Sequence, residues 1–302
     1  MKDRIVLAGG SGFLGMRLAH ELAAADYDVV VLTRSPRAGK IRECAWDGRS
    51  QGEWAREIDG ARAVVNLTGR NVNCRYTPAN RKEIIESRVQ SVEAVGEAIR
   101  RSATPPKVWV QTSSLAIYGD PGDRICDEKA PHGHGFPVET CELWEDALAR
   151  QSTPHTRKAV LRIGFVLDRG RGALATLEKL VRCFLGGRVA SGGQYMSWVH
   201  WRDMNTMFRW AIERPDIEGI FNATAPAPVT NAEFMAQMRH ALHRPWSPPA
   251  PALAVHVGAF FMRTEPVLAL TGRRCVPKRF SDKGFEFAFP ELTGALRDVY
   301  AE

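Results

Sequence analysis

The amino-acid sequence predicts an α/β fold, a doubly wound parallel sheet with a smaller C-terminal substrate lobe. Two observations carry this prediction. From residue 4 onwards, short runs rich in Val, Ile and Leu alternate with helical patterns. These runs are apolar at consecutive positions, as strands are when helices cover both faces of a parallel sheet.

The first half of the chain supplies the elements of this sheet in order. The runs RIVLAG and DVVVLTR predict two strands, and AVVNLTG, KVWVQTSS and AVLRIGFVL predict three more. Helices are expected between them, near 13–25, 79–101 and 138–151. In sequence numbers, the predicted strands cover 4–9, 28–34, 63–69, 107–114 and 159–167.

The pattern changes after residue 167, and a smaller lobe is expected there. An amphipathic helix between glycines and a turn leading into another helix follow, before GIFNATA predicts one more strand of the sheet. The apolar stretch PALAVHVGAFFM predicts a buried helix. We therefore predict a first domain over 1–167, rejoined by about 198–225, and a substrate lobe from 168–197 and 226–302.

Composition narrows the class of partner. The 302 residues are 44% hydrophobic with a net charge of +7, but the basic residues form short groups without interleaved aromatics, which argues against nucleic acid. No run reaches the ~18 apolar residues of a membrane span, and the first residues lack a secretory pattern, so we expect a cytoplasmic protein. Six scattered cysteines without CxxC predict neither a disulfide framework nor a metal site. A monomer and a homodimer are both compatible with the sequence.

The stretch AGGSGFLG predicts a dinucleotide site. It directly follows a strand and opens a helix, and its glycines recur every third residue. Such spacing lets the backbone turn tightly and approach a pyrophosphate at the helix N-terminus, although a purely structural turn is the alternative. The predicted contacts are Gly9, Gly10, Ser11, Gly12, Phe13, Leu14 and Gly15.

The end of the second strand favours NADP over NAD. An NAD-selective site would usually place Asp or Glu there to bind the ribose 2′-hydroxyl. This chain has Thr33 and Arg34 instead, and an arginine can pair with a 2′-phosphate. The alternative for Arg34 is a solvated loop charge.

Several motifs together carry a family resemblance. AGGSGFLG, NLTG, QTSSLAIYG, CELWEDA and GGQYMSWVHWRDM resemble the extended short-chain dehydrogenases/reductases, and within them the SulA-like branch of the nucleotide-sugar epimerases. The resemblance implies a Rossmann-like NADP(H) domain and a small-molecule substrate, such as a nucleotide sugar or another carbonyl compound. It implies cofactor contacts from Leu67, Thr68, Gly69, Arg88 and Ser113, and a catalytic hydroxyl from Ser114. Arg88 could instead form surface ion pairs, and Ser114 could be a strand-end cap.

The chain departs from this family at the helix near 138–151. The family places a Tyr, and a Lys four residues later, at the start of that helix, where both face the nicotinamide. Here those positions fall on Phe136 and Thr140, or on Pro137 and Cys141, depending on a one-residue choice of register. Substitute proton donors are Tyr118, which could equally be a packed aromatic residue, and Glu139 or Glu142.

Two functions from different classes follow. The first is an NADP(H)-dependent oxidoreductase or epimerase with an atypical active site, and the second is a non-catalytic NADP(H)-binding sensor. The retained Ser114 and the extra lobe favour the enzyme, whereas the missing Tyr and Lys favour the sensor.

Overall fold

The computed structural model describes residues 2–301. Its strands are β1 (Arg4–Ala8), β2 (Asp28–Thr33), β3 (Arg42–Ala45), β4 (Ala63–Asn66), β5 (Val108–Ser114), β6 (Ile125–Cys126), β7 (Arg157–Ile163), β8 (Phe165–Leu167), β9 (Tyr195–Met196), β10 (Trp198–His200), β11 (Gly219–Ala223), β12 (Val229–Thr230) and β13 (Arg274–Cys275). Its helices are α1 (Phe13–Ala24), α2 (Pro78–Arg101), α3 (Phe136–Ala149), α4 (Gly172–Arg182), α5 (Trp201–Glu213), α6 (Asn231–Ala241), α7 (Ala252–Phe261), α8 (Val267–Leu270), α9 (Lys278–Asp282) and α10 (Leu292–Ala301). Two 3₁₀ helices cover Glu53–Glu57 and Leu115–Tyr118.

Seven parallel strands form the central sheet, in the order β11-β7-β5-β4-β1-β2-β3. Successive strands of the chain are added outwards from β1. First β2 and β3 lie on one side of it, and then β4, β5, β7 and β11 lie on the other. The order in which successive strands are added to the sheet therefore reverses between the neighbours β1 and β4. The last residues that these two strands pair are Ala8 and Asn66. In open α/β sheets, ligands bind beyond the carboxyl ends of the strands at such a point.

Helices cover both faces of the sheet, which confirms the predicted doubly wound, Rossmann-like fold. On one face, Leu18 of α1 and Phe208 of α5 are buried in the same apolar cluster. On the other face, Val95 of α2 and Trp144 of α3 belong to a second cluster. The apolar strands lie between the two clusters and contribute side chains alternately to each, as the pleat of a strand requires.

Some strands differ from the sequence prediction. The strand predicted over 159–167 is two strands, β7 and β8, separated by Gly164. A Cβ atom on Gly164 would lie 2.5 Å from the carbonyl oxygen of Ser197, so only glycine permits this close approach. There the chain leaves the central sheet, and β8 pairs with β10 instead. The sequence patterns also missed β3, β6, β9, β10, β12 and β13, which are short and lack a long run of consecutive apolar residues.

A further packing centre lies mainly beyond residue 167. Leu174 of α4, Phe234 of α6 and Leu296 of α10 meet in one buried cluster, which also includes Trp198 of β10. This cluster is separate from the two that cover the central sheet. The division of the chain into a domain and a lobe at the stated boundaries stays a prediction.

The apolar stretch at 251–262 does form a helix, α7, but the prediction that it is buried is wrong. Leu253 is 76% exposed and Phe261 is 77% exposed, and among the residues of α7 only Ala259 is buried. The helix lies on the outside of the molecule, held at its end by Arg75, whose guanidinium group stacks on Phe260 at 4.4 Å and donates to the Phe260 carbonyl. Apolar composition predicted the helix and not its environment. No helix within residues 2–301 is long and apolar enough to cross a membrane.

Candidate active site

The glycine turn after β1 has the geometry that a dinucleotide site needs. Gly9 has a φ of +70° and donates to the carbonyl of Leu32, so the chain turns sharply beside β2. A Cβ atom on Gly9 would lie 2.6 Å from Thr68 Oγ1, and one on Gly15 would lie 2.3 Å from the Gly10 carbonyl oxygen. Glycine at these positions therefore brings the turn, α1 and the loop after β4 into close contact.

The N-terminus of α1 is open. Gly12 is the residue that precedes the helix; no side chain caps its first turn, and that turn contains no acidic residue. A Cβ atom on Gly12 would have nothing within 4 Å. Unpaired backbone N–H groups and the positive end of the helix dipole thus face open space, an arrangement that fits a pyrophosphate.

The end of β2 has the features of an NADP-selective site. Thr33 is buried and donates to the hydroxyl of Ser11 at 3.1 Å, which links β2 to the glycine turn. Arg34 is exposed, and its guanidinium group makes no hydrogen bond or ion pair within residues 2–301. Arg37, three residues later, pairs with Glu43 at 3.6 Å. Arg34 is therefore the arginine at this strand end that is available to an anionic ligand.

The loop after β4 runs beside the glycine turn, and hydrogen bonds of Asn66 fix its position. Asn66 donates to Gln111 at 3.1 Å and to Ser91 at 3.2 Å, and its side-chain oxygen accepts from the backbone N–H of Thr68 at 3.0 Å. Thr68 Oγ1 is buried and makes no hydrogen bond within the described chain. Leu67, Thr68 and Gly69 thus follow β4 at the reversal point of the sheet, and their contact with a cofactor stays a prediction.

Arg88 lies against Gly69. A Cβ atom on Gly69 would lie 3.1 Å from the central carbon of the Arg88 guanidinium group. Arg88 donates to the carbonyls of Arg70 at 3.1 Å and Ile84 at 2.9 Å, and stacks on the ring of Trp144 at 5.0 Å. It makes no ion pair within residues 2–301, and burial lowers its pKa. The surface ion pair considered from the sequence is absent there.

The two serines at the end of β5 have different surroundings. Ser114 is partly buried, and its Oγ accepts from the backbone N–H of Ala116 at 3.2 Å. This is the cap considered from the sequence, although the hydroxyl hydrogen of Ser114 is not used by it. Ser113 is buried and donates to Glu145 of α3 at 2.6 Å. Ser113 therefore joins β5 to α3 through its side chain.

Tyr118 is a packed aromatic residue inside the protein, the alternative to a proton donor that the sequence left open. The side chain is fully buried, because the 3₁₀ helix that follows β5 turns it inward. Its hydroxyl donates to Asn222 and accepts from Arg162, each at 2.8 Å. Burial raises the pKa of Tyr118 to about 12. The phenol is thus a member of an internal network.

That network is organised by one buried ion pair. Arg162 of β7 forms two hydrogen bonds with Glu145 of α3, at 2.9 and 2.7 Å, and this raises the pKa of Arg162. His132 contacts Arg162 at 3.3 Å and Glu142 at 2.8 Å. Of the two substitute acids on α3, Glu142 is therefore paired with a histidine, while Glu139 is exposed.

The beginning of α3 carries neither Tyr nor Lys. Phe136 is buried, and Thr140 donates to its carbonyl at 2.8 Å, so this hydroxyl is used within the helix. Cys141 is buried, which raises its pKa to about 12. A phenol that the sequence analysis missed lies here: the ring of Tyr76 meets that of Phe136 edge-on, with centroids 4.8 Å apart. Tyr76 stands in a loop with no motif, so only its position in space reveals it.

The cysteines are all free thiols, although Cys126 and Cys275 are register partners in β6 and β13. Within residues 2–301, no group of three or more His, Cys, Asp or Glu side chains is arranged to hold a metal ion.

Comparison with known proteins gives the family. Epimerase family protein SDR39U1 from Bos taurus is 35% identical over 303 residues, covering 99% of this chain and 100% of that one. The crystal structure of human epimerase family protein SDR39U1 (isoform 2), which contains NADPH, superimposes with a TM-score of 0.89 at 32% identity, covering 99% of both chains. A nucleoside-diphosphate sugar epimerase from Corynebacterium glutamicum gives a TM-score of 0.81 at 26% identity, covering all of this chain and 59% of that one.

Two family models match separate parts of the chain. Residues 250–299 match a domain of unknown function, DUF1731, and residues 5–223 match the NAD dependent epimerase/dehydratase family. The second match spans more than half of the chain and includes all seven strands of the central sheet except the first residue of β1. The protein therefore belongs to the NAD-dependent epimerase/dehydratase family, as the sequence motifs predicted.

Proposed function

We propose that the protein binds NADP(H) and acts as an NADP(H)-dependent oxidoreductase or epimerase-like enzyme with an atypical active site. The observation that carries this proposal is the open N-terminus of α1, with Arg34 exposed at the end of the neighbouring strand and without an ion pair in the part of the chain that the structure describes. The NADPH in the crystal structure of the human relative supports the choice of cofactor.

The cofactor contacts follow from the shape of this region. The turn from Gly9 to Gly15 would hold the pyrophosphate with backbone N–H groups, and Arg34 would pair with the 2′-phosphate beside Ser11 and Thr33. Leu67, Thr68 and Gly69 would run along the bound dinucleotide. When bound, a nicotinamide gives or accepts a hydride.

Arg88 and Ser113 would act at the nicotinamide end. Arg88 presents a positive charge beside Gly69, and Ser113 fixes the end of β5 through Glu145. These roles are compatible with the cofactor lying across the carboxyl ends of β1 and β4, where the building direction of the sheet reverses.

Proton transfer would come from hydroxyls other than the family Tyr. Ser114 has an unused hydroxyl hydrogen at the carboxyl end of β5, and Tyr76 is the phenol beside Phe136. The charge of Arg88 lowers the pKa of Tyr76, although burial dominates and raises it to about 12. Tyr118 would be a positioning residue, since its hydroxyl is fully buried and has two partners.

The substrate would be a small molecule, such as a nucleotide sugar or another carbonyl compound. The nucleoside-diphosphate sugar epimerase among the similar structures motivates the first class. The lobe predicted over 168–197 and 226–302 would enclose this substrate against the sheet.

The test is binding followed by turnover. Calorimetry should detect NADPH binding with micromolar or better affinity, and NADPH oxidation should then be followed with a panel of carbonyl compounds and nucleotide sugars. The absence of Tyr and Lys from the first two turns of α3 favours a second function, a non-catalytic NADP(H) sensor. Tight NADPH binding without turnover of any panel member would favour that sensor, and absence of NADPH binding would refute both.

A further inference from the structure

Two arginines near the beginning of α3 have no ion-pair partner among the described residues 2–301. We infer that Arg88 and Arg273 bind an oxyanion of the substrate, a carboxylate or a phosphate group, beside the reacting centre. This inference deepens the proposed function and rests on it for the position of that centre. It adds an anionic group near the reacting centre to the class of substrate that the family resemblance implies.

The two arginines contact loop residues that follow neighbouring strands of the sheet. β4 and β5 are neighbours, paired from Ala63 and Val108 onwards. Arg88 packs against Gly69, just after β4, while Arg273 donates from Nε to the carbonyl of Gly119, just after β5, at 3.1 Å. Both guanidinium groups therefore lie at the same edge of the sheet.

Cys141 of α3 lies near both arginines: it shares a buried cluster with Cys275, two residues after Arg273, and Arg88 stacks on Trp144 of the same helix. Cys141 occupies one of the two positions where the family would have its Lys. The positive charges of Arg88 and Arg273 both lower the pKa of its thiol, against the burial that raises it. Both guanidinium groups are thus within electrostatic reach of the same side chain. Positive charge is therefore present near the position of the family Lys, although Arg88 and Arg273 supply it and α3 does not.

Neither arginine has an ion-pair partner within residues 2–301. Burial lowers the pKa of both, and the nearby Asp120 opposes that effect at Arg273 from beyond ion-pairing distance. Arg162 behaves differently: it is also buried, but Glu145 neutralises it through two hydrogen bonds. A desolvated cation without a partner is costly, so a ligand that brings a negative charge would relieve that cost.

Each guanidinium group has donors to spare. In Arg88, the nitrogen Nη1 donates both hydrogen bonds of the side chain. In Arg273, the nitrogen Nε donates the hydrogen bond to Gly119. Both arginines are partly exposed, and their remaining nitrogens make no hydrogen bond within residues 2–301. Packing of Arg88 on Trp144 accounts for its position and leaves these donors unused. The planar fork of a guanidinium group matches a carboxylate or a phosphate.

The test measures oxyanion binding to the protein–NADPH complex by calorimetry. Three probes are compared: oxamate, which carries a carboxylate next to a carbonyl; inorganic phosphate; and oxamide, the uncharged analogue of oxamate. We expect at least one oxyanion to bind and oxamide not to bind. Preference for oxamate indicates a carboxylate substrate, and preference for phosphate indicates a phosphorylated one.

Arg273→Gln is the decisive variant, because Arg273 is not among the proposed cofactor contacts. It should weaken oxyanion binding by about 10- to 100-fold, the range for a charge-assisted hydrogen bond, with NADPH affinity unchanged. Arg150→Gln removes an exposed charge at the end of α3 and is the matched control, with no change expected. Arg273→Lys keeps the charge without the fork and should give an intermediate loss.

Parental oxyanion affinity in a folded Arg273→Gln protein, or no oxyanion binding by the parent complex, overturns the inference. If the Gln variant does not fold by circular dichroism, the same comparison is made with Arg273→Lys, where undiminished binding overturns it. Failure of the proposed function can be distinguished from failure of this inference. A parent protein that binds no NADPH, yet binds oxamate in an Arg273-dependent way, would have the anion site without the cofactor site.

Discussion

The N-termini of α1 and α3 lie near the same edge of the sheet, but they differ in what they have kept. The α1 end retains the glycines, the open first turn and the exposed Arg34 expected of a dinucleotide site. The α3 end has lost the Tyr and Lys of its family and presents Phe136, Pro137, Thr140 and Cys141 instead. Cofactor binding and catalysis are therefore separable properties of this chain.

The reason for the difference is the kind of atom that each site uses. A pyrophosphate is held mainly by backbone N–H groups, which depend on φ, ψ and the absence of side chains. Proton transfer depends on one functional group in one position, which can be supplied from another element. The pyrophosphate site thus depends on the path of the backbone, while the proton donor can be supplied by a side chain from a neighbouring loop.

The largest effect is expected from Gly12→Val. Its φ of −74° is accessible to valine, and a Cβ atom there meets nothing within 4 Å, so the fold should survive. The side chain would, however, fill the space proposed for the pyrophosphate, and NADPH binding should be lost. Calorimetry measures the binding, and circular dichroism the fold.

Gly294→Val is the matched control for that variant. Gly294 also has open space around its Cβ position, but it lies on α10, away from the glycine turn. It should bind NADPH as the parent does. A folded Gly12→Val protein with parental NADPH affinity would show that the glycine turn is not the cofactor site.

The next effect concerns the α3 end and is measured once turnover is found. Tyr76→Phe should reduce kcat by ~10²-fold or more, since a general acid or base typically contributes ~10²–10⁴-fold. Ser114→Ala should reduce kcat less, because it orients the substrate. NADPH affinity should stay the same in both. Unchanged kcat in Tyr76→Phe would exclude this phenol and direct attention to Ser114 and Glu139.

A smaller effect is expected from Arg34→Ala on the choice of cofactor. The parent should bind NADPH more tightly than NADH, and the variant should lose most of that difference, on the order of 1–3 kcal/mol for a charge-assisted contact. Calorimetry with both nucleotides measures it. Arg37→Ala is the control, since Arg37 already has Glu43 as a partner. Equal affinities for the two nucleotides in the parent would contradict the assignment of Arg34.

The sequence predicted the sheet and the glycine turn because both depend on local patterns. Consecutive apolar residues revealed β1, β2, β4 and β5, and glycine spacing revealed the open end of α1. The break at Gly164 was not predictable, since it depends on the approach of Ser197, more than thirty residues away. The exposure of α7 was not predictable for a similar reason, because an apolar sequence does not show whether a helix packs against other residues or faces solvent.

The candidate proton donors divide in the same way. Ser114 follows a recognisable strand end, whereas Tyr76 comes close to Phe136 only through the fold. Tyr118 was a candidate donor because it follows Ser114 by four residues, but the 3₁₀ helix after β5 turns it inward. Spacing along the chain predicts a position at the sheet edge, but the direction of a side chain after the strand depends on the next turn.

The smallest effect on activity is therefore expected from Tyr118→Phe, with kcat changed less than about tenfold. The variant removes one donor from Asn222 and one acceptor from Arg162, so the free energy of unfolding should fall on the order of 1 kcal/mol near neutral pH. Urea denaturation measures that difference. A kcat loss of ~10²-fold with unchanged stability would show that Tyr118 transfers protons after all.

The pH dependence of the same variant tests the environment of the phenol. The folded-state pKa of Tyr118 is raised from 10.0 to about 12, so the folded protein keeps this proton at a pH where the unfolded chain loses it. The native state then binds more protons than the unfolded state, and stability falls as pH rises through this window. Phenylalanine lacks this contribution. The stability advantage of the parent over Tyr118→Phe should therefore shrink between pH 10 and pH 12, and an advantage that grows there would show that the phenol ionises more readily in the folded protein.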